Sequence, residues 1–106
     1  DIIWNLYKDP PSDLLEAKAN SILFQATLEH LIDPVQVMRN LAKTLKRNGY
    51  MFIHTHTPLY PYHACPRDYL RYQPDWFIDI GEHLSDIELV ELVATEGHIF
   101  SCFVKK

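Results

Sequence analysis

Glycine is scarce in this sequence. Only Gly49, Gly81 and Gly97 occur among the 106 residues, and none of them lies near another. A loop whose backbone must approach a bound cofactor closely needs clustered glycines, because any side chain would hold the ligand away. The chain therefore carries no glycine-rich cofactor-binding loop of its own.

Cysteine is scarce as well. Cys65 and Cys102 are the only two, which excludes the disulfide-rich scaffold of a small secreted domain. We expect both to be free thiols in a reducing compartment, and hence a cytoplasmic protein. A single disulfide between them is the alternative that the sequence leaves open.

Clustered positive charge and long apolar runs are also missing. The formal net charge is −4, and the basic residues are scattered apart from Lys43, Lys46 and Arg47. A surface that binds nucleic-acid phosphates normally clusters its Lys and Arg. No apolar run reaches the ~20 residues that span a bilayer, and no signal peptide precedes the first apolar run. The pattern predicts neither a nucleic-acid partner nor a membrane segment.

The composition that is present fits one folded domain. Hydrophobic residues make up 47% and charged residues 23%, which is ordinary for a globular protein. A chain of 106 residues holds at most one domain. It begins with Asp1 and lacks an initiator methionine, so we expect these residues to belong to a larger domain.

The clearest local signal is a helix that begins at Asp33-Pro34. Aspartate is a strong N-cap, and proline is favoured at the first helical position. Apolar residues then recur at the spacing of one buried helix face: Met38, Leu41, Ala42 and Leu45. Gly49 is interpreted as the C-terminal stop of this helix.

Apolar runs along the chain predict strands and a hairpin. The predicted strands are Ile2–Leu6, Ile22–Phe24, Tyr50–Thr55, Ile87–Ala94 and Ile99–Val104. The last two flank a short turn and should pair as an antiparallel hairpin. Short helical structure is expected over Asp13–Lys18, and a further helix from Pro74. Strands that alternate with helices predict an α/β fold with a mostly parallel sheet.

The segment from His56 to Tyr72 shows the period of neither a helix nor a strand. It is rich in proline and tyrosine. Long loops inside a compact domain are usually functional or disordered, and the aromatic content argues against disorder. The segment is therefore predicted to be a partly ordered functional loop.

Three segments carry a resemblance to a known family. Residues 28–34 read LEHLIDP, residues 45–50 read LKRNGY, and residues 57–72 read TPLYPYHACPRDYLRY. The first two resemble motifs around the fourth and fifth strands of class I S-adenosylmethionine-dependent methyltransferases. The third resembles a loop of bacterial members (methyltransferase type 11/12-like), many of which are connected with cell-surface sugars.

The resemblance implies that residues 1–106 form the C-terminal portion of a methyltransferase-like domain. The fold would be a partial Rossmann-like sheet, strands 3 to 7 of the family, with flanking helices and a C-terminal antiparallel hairpin. The family's Gly-rich cofactor loop and its ribose-binding acidic residue belong to the N-terminal half, which is absent here. The implied function is S-adenosylmethionine-dependent methyl transfer to a small-molecule, sugar-related acceptor.

Candidate cofactor and catalytic residues follow from this alignment. The resemblance places Gln25, Ala26 and Thr27 near the methionine end of S-adenosylmethionine. Ligands of open α/β sheets bind beyond the carboxyl ends of the strands, and these residues follow a predicted strand. Methyl transfer to oxygen or nitrogen often needs a general base. His56 and His63 are the candidates, because imidazole titrates near neutral pH.

The aromatic loop is expected to line the substrate site. The predicted substrate residues are Tyr60, Tyr62, Tyr69 and Arg71. Aromatic rings with a few polar donors suit an organic ligand, and Arg71 can hold a carboxylate or phosphate through two parallel bonds. The alternative is that Arg71 pairs with Asp68 and the tyrosines pack the loop. Glu29 and His30 are interpreted as structural residues at the pocket floor.

Two other functions stay open. Side chains suited to zinc occur at His54, His56, His63 and Cys65, which allows a small metal-binding protein. Their spacing matches no zinc-finger pattern and the family implies no metal, so no metal site is predicted. The other alternative is a non-catalytic methyltransferase remnant acting as an interaction module. A partner or a second copy would then cover an exposed sheet edge near Ile2–Leu6 or Ile22–Phe24.

Overall fold

A computed structural model describes all 106 residues, Asp1–Lys106. Four strands form one sheet: β1 (Ala19–Gln25), β2 (Leu45–His56), β3 (Ile87–Thr95) and β4 (His98–Lys105). They are accompanied by α1 (Ser12–Ala17), α2 (Pro34–Lys43), α3 (Pro74–His83) and a 3₁₀ turn at Leu28–His30. The predicted α/β class, with helices flanking the sheet, is confirmed.

The sheet is mixed, with the strand order β1-β2-β4-β3. β1 runs parallel to β2, and α2 makes the crossover between them that parallel strands require. β2 and β3 both pair antiparallel with β4. The predicted C-terminal hairpin is therefore confirmed. Its strand β3 forms one edge of the sheet, and β1 forms the other.

The hydrophobic core lies between one face of the sheet and helices α2 and α3. Its buried members include Val37, Met38, Leu41, Met51, Ile53, Phe77, Ile80, Ile99 and Phe103. Fully burying one such side chain contributes about 1.5–3 kcal/mol, so this cluster holds both helices to the sheet. These are the longest helices, at ten residues each, and no helix has the length and apolar character to cross a membrane.

The opposite face of the sheet is open. Side chains alternate across a strand, so Phe52 points away from the buried Met51 and Ile53 that flank it, and it is 45% exposed. Its neighbour in register on β1, Leu23, is 73% exposed, and Phe100 on β4 is 46% exposed. The sheet thus presents apolar side chains to solvent on the face that the helices do not cover.

The predicted strand at Ile2–Leu6 does not form. The segment is irregular, and no strand of the sheet pairs with it. Its carbonyls are bound by a side chain instead: the amide of buried Asn40 donates to Leu6 O at 2.8 Å and to Lys8 O at 2.9 Å. Trp4 packs partly against the core. The apolar run therefore does not indicate a strand here: Ile2 and Ile3 are exposed, and only Trp4 and Leu6 pack partly against the core.

The predicted role of Gly49 is also wrong. Helix α2 ends at Lys43, and the Thr44 hydroxyl donates to Leu41 O at 2.8 Å to close its last turn. Gly49 lies inside β2. A Cβ there would stand 2.8 Å from Asn20 O, so the glycine serves a close approach of two strands.

The N-terminus of α2 follows the prediction and is directly testable. The Asp33 carboxylate accepts a hydrogen bond from the backbone N–H of Gln36 at 3.2 Å. We expect Asp33→Ala to lower the free energy of unfolding by about 1 kcal/mol, the usual contribution of an N-cap, in urea denaturation followed by circular dichroism. Gln73 precedes α3 without a side-chain cap, so Gln73→Ala is the matched control. Equal effects of the two substitutions would contradict the capping role.

Candidate functional site

The aromatic loop, residues 57–73, is docked onto the carboxyl ends of β1 and β2. The backbone carbonyl of Glu29 accepts from the N–H groups of Tyr69 and Leu70 at 2.9 and 3.1 Å. The N–H of Tyr72 donates to His56 O at 2.9 Å, and its hydroxyl donates to Leu28 O at 3.1 Å. The loop is therefore pinned at the edge where ligands of open α/β sheets bind.

The start of the loop is packed against the β3–β4 turn. The N–H of Thr57 donates to Gly97 O at 2.9 Å. Gly97 has a φ of 89°, and a Cβ at this position would lie 3.3 Å from Tyr60 N. Glycine is required here both for the left-handed backbone and for the close contact, and the turn thereby places Tyr60 beside the strand ends.

Arg71 holds the loop together from inside. Its Nε donates to Tyr60 O at 3.1 Å, and Nη2 donates to Pro61 O at 2.7 Å. Nη1 donates to Leu70 O at 2.9 Å, and the two Nη atoms together grip both oxygens of Asp68. Arginine has five N–H donors, and these contacts use all of them.

The Asp68–Arg71 pair that the sequence left as the alternative therefore forms. The hydrogen bonds from Arg71 are the main reason that the pKa of Asp68 lies well below its usual range, and the N–H of His63 adds to the effect. The same pairing raises the pKa of Arg71. The predicted substrate contact of Arg71 would need this pair to open.

A buried carboxylate, Glu29, gathers histidines at the centre of the site. The 3₁₀ turn after β1 directs Glu29 inward, and its side chain is fully buried. Its Oε1 accepts from the Thr55 hydroxyl at 2.8 Å. Its Oε2 lies 3.3 Å from His56 Nε2, 3.4 Å from His63 Nε2 and 3.5 Å from His30 Nε2. Glu29 and His30 thus lie within the site itself and not only at its floor.

A second group of histidines adjoins the first across β2 and β4. His54 and His56 share a face of β2, as their spacing predicts, with ring centroids 5.2 Å apart. His54 Nε2 and His98 Nδ1 are hydrogen-bonded at 3.0 Å. Burial lowers the pKa of His54 and of His56, and the neighbouring His98 lowers that of His54 further. The place of His98 opposite His56 follows from the β2–β4 register.

The two predicted general bases differ in access. The His56 side chain is only 4% exposed and stacks on the Tyr60 ring at a centroid distance of 3.7 Å. The His63 side chain is 33% exposed, with its Nδ1 3.4 Å from Asp68 Oδ2. Cys65 is exposed and does not join the cluster. Of the two imidazoles, only that of His63 is open to a ligand.

The predicted cofactor residues lie beside the histidines. Gln25 is paired in register with His54, and the N–H of Ala26 donates to His54 O at 2.9 Å. Ala26 has a φ of 48°, a left-handed conformation that costs an alanine about 1–2 kcal/mol. Such strain is found preferentially at functional sites. Gln25 and Ala26 are exposed, so polar groups are available on one wall of a ligand site.

Two of the surface depressions are lined by predicted site residues. The predicted substrate residues, namely Tyr60, Tyr62, Tyr69 and Arg71, line a shallow one of about 220 Å³ together with Asp68 and Leu70. A larger one, of about 380 Å³, lies on the open face of the sheet between Gln25, His54 and Phe100. Ligand pockets usually measure about 300–1,000 Å³, so the tyrosine depression needs a further wall to enclose an organic molecule.

The clamp around Arg71 leads to a test of loop order. Arg71→Lys replaces a five-donor fork by a single ammonium group, which cannot reach Tyr60 O, Pro61 O and both oxygens of Asp68 together. We expect several-fold faster chymotryptic cleavage within residues 57–73, measured by mass spectrometry, with little change in the circular dichroism of the sheet. Arg67→Lys is the control, because the Arg67 side chain is exposed. Equal cleavage rates of the two variants would contradict the clamp.

Comparisons with known proteins show which solved structures have a similar fold. No family model matches the sequence, and no curated protein matches it either. Solved structures do match. An O-methyltransferase family protein from Burkholderia thailandensis has a TM-score of 0.66 and 11% identity, over 99% of this chain and 35% of that one. NcsB1, an O-methyltransferase from neocarzinostatin biosynthesis, has a TM-score of 0.64 and 10% identity, over 99% and 33%.

A third match comes from the Haloferax volcanii complex that contains the Trm112 methyltransferase activator, with a TM-score of 0.67 and 11% identity over 83% of this chain and 54% of that one. The chain therefore spans between about a third and about half of the length of these structures. At such identities the likeness shows the fold alone. The four strands and their helices have the fold of part of an S-adenosylmethionine-dependent methyltransferase domain.

Proposed function

We propose that this chain is the acceptor-side portion of an S-adenosylmethionine-dependent methyltransferase domain. One observation carries the proposal: the strained turn at Gln25–Thr27 lies directly beside the histidine cluster at the carboxyl ends of β1 and β2. A methyl donor and a proton acceptor would meet there. Among structures of similar fold, NcsB1 holds S-adenosyl-L-homocysteine with 1,4-dihydroxy-2-naphthoic acid, and LepI holds S-adenosylmethionine.

The cofactor would be shared between this chain and residues outside it. Gln25, Ala26 and Thr27 would form one wall, in which Gln25 and Ala26 are exposed and Thr27 is partly buried, and the Gln25 amide could contact the methionine end of the cofactor. The three separated glycines cannot form a loop that approaches it. We therefore infer that residues 1–106 are the C-terminal portion of the domain and that the Gly-rich half lies elsewhere in the protein.

The acceptor would be a small hydroxyl-bearing molecule of the sugar-related kind that the loop resemblance implies. Tyr62 and Tyr69 are exposed and would contact it from the loop. His63 would take its proton, since its ring is accessible whereas that of His56 is buried. Most of the rate enhancement would come from positioning the acceptor oxygen in line with the methyl group. We infer a cytoplasmic location from the two free thiols, Cys65 and Cys102.

A cofactor titration tests the division of the site. We expect no micromolar binding of S-adenosyl-L-homocysteine to the 106-residue chain in isothermal titration calorimetry, because one wall leaves most of the ligand in water. A longer protein that contains this chain and a Gly-rich half should bind it. Tight binding to the short chain would show that the main cofactor contacts lie within it.

The catalytic role of His63 is tested in such a longer protein by transfer of a labelled methyl group. His63→Asn should lower kcat by about 10²-fold or more, the usual contribution of a general base, with S-adenosyl-L-homocysteine binding retained. His83→Asn is the control, because His83 is exposed on α3, away from the site. Unchanged kcat in His63→Asn would remove this residue from the mechanism.

A second candidate function is favoured by the open face of the sheet. Leu23, Phe52, Val93 and Phe100 are each 45–73% exposed, and contiguous apolar surface of this kind often marks an interaction site. β1 is also an unpaired edge strand, where a strand edge was expected near Ile22–Phe24. An interaction module covered by a partner or second copy would be the better reading if no longer protein containing this chain bound the cofactor.

A further inference from the structure

The Glu29 carboxylate has one oxygen that the protein leaves unsatisfied. Oε2 is buried and has no hydrogen-bond partner, although a buried carboxylate is costly unless it is paired. Three imidazole nitrogens surround it at 3.3, 3.4 and 3.5 Å. A charge-assisted hydrogen bond between such groups is shorter, at about 2.7–2.9 Å, so the spacing is not that of direct pairs.

Two of these spacings are those of neighbouring ligands around a tetrahedral metal ion. Zinc binds imidazole nitrogen and carboxylate oxygen at about 2.0–2.1 Å with tetrahedral geometry, which separates neighbouring ligand atoms by roughly 3.3–3.4 Å. The Glu29 Oε2 lies 3.3 Å from His56 Nε2 and 3.4 Å from His63 Nε2. The ligand atoms of these three residues all lie within 4.8 Å of one another.

The tautomer of His30 also favours a cation near Glu29. His30 Nδ1 lies 2.6 Å from the carbonyl oxygen of Arg67, which can only accept, so Nδ1 carries a proton. In the neutral ring the lone pair is then on Nε2, 3.5 Å from Glu29 Oε2. Two lone-pair-bearing atoms face each other across this gap, an arrangement that a cation between or beside them stabilises.

We propose that Glu29, His56 and His63 form a site for a divalent transition-metal ion of the zinc class, with His30 at its border. Two imidazoles and one carboxylate are the protein ligands of a zinc centre that keeps a fourth position open. The partly exposed His63 lies on the accessible side of the site, so the open position is available to water or to an oxygen or nitrogen of a ligand.

Neighbouring groups orient the three ligands. The Thr55 hydroxyl holds Oε1 of Glu29 at 2.8 Å and leaves Oε2 free for the ion. Asp68 Oδ2 accepts the backbone N–H of His63 at 2.8 Å and so fixes the position of this residue. The His56 ring is fixed by its stack on Tyr60. Sequence spacing alone did not indicate this site, because its carboxylate comes from a turn 27 residues before His56.

The other histidine group is the weaker candidate. His54, His56 and His98 also bring their nitrogens together, but they include no carboxylate to offset the charge of the ion. His54 Nε2 and His98 Nδ1 are moreover bonded to each other at 3.0 Å, which occupies the atoms that a metal would need.

The metal site does not rest on methyl transfer, and it is measured without the cofactor. An ion bound to His63 would take up the lone pair that a general base needs, so the two roles of His63 belong to the metal-bound and the metal-free chain respectively. The 106-residue chain, stripped with EDTA and then dialysed, is titrated with zinc chloride by calorimetry and with cobalt chloride by visible absorption. We expect one ion per chain and the absorption of low-coordinate cobalt. Glu29→Gln and His63→Asn should each weaken zinc binding by more than about 10- to 100-fold, the loss known even for residues that act on a ligand indirectly.

Two controls separate this site from its alternatives. His98→Asn removes a member of the other histidine group, and His83→Asn removes an exposed histidine outside both groups. Both should bind zinc as the unaltered chain does. Circular dichroism shows whether each variant is folded, and His63, on the loop, is the safer substitution if Glu29→Gln does not fold. Absence of stoichiometric binding overturns the proposal, as does binding that survives His63→Asn or is lost in His98→Asn.

Discussion

The site depends on one short element, the 3₁₀ turn at Leu28–His30. Its middle residue acts twice. The backbone carbonyl of Glu29 accepts two N–H groups from the aromatic loop, and its buried side chain faces imidazoles from that loop, from β2 and from the turn itself. Removing the turn would release the loop from the Glu29 carbonyl and separate the imidazoles from the carboxylate that they share.

The loop is organised around an internal ion pair instead of a ligand. Asp68 and Arg71 meet within a stretch that has no regular backbone hydrogen bonding, and the arginine satisfies carbonyls that would otherwise lack partners. A buried carbonyl or N–H without a partner is costly. Arg71 therefore supplies the hydrogen bonds that strand pairing would supply in a sheet. The groups of the loop that remain accessible are His63 and the exposed tyrosines.

Local signals in the sequence predicted local structure well. Asp33-Pro34 and the apolar period after it predict α2, and the two apolar runs on either side of Gly97 predict the hairpin. The predictions that failed depend on contacts between distant segments: Gly49 does not end α2 but lies in β2, close to Asn20 of the neighbouring strand. Ile2–Leu6 has the composition of a strand, but whether it becomes one depends on where the chain places it relative to the sheet, which composition does not report.

The residues of the site also differ in whether the local sequence predicts them. His56, His63 and Tyr60 could be singled out from an aromatic, histidine-rich loop. Glu29 was expected at the pocket floor, but its contact with three imidazoles and the place of His98 could not be predicted, because they depend on how β1 pairs with β2 and β2 with β4. Register depends on packing of whole strands, and a one-residue change would turn these side chains to the other face.

The strand order also has a consequence for how the chain folds. β3 and β4 are joined by a tight turn at Glu96-Gly97 and can pair with little loss of chain entropy. β1 and β2 are separated by the turn and by α2, so their parallel pairing closes a longer loop and should form later. The Glu29 cluster spans this late junction. The histidines therefore come together only after this longer loop has closed, and an ion bound among them would stabilise the fully paired sheet.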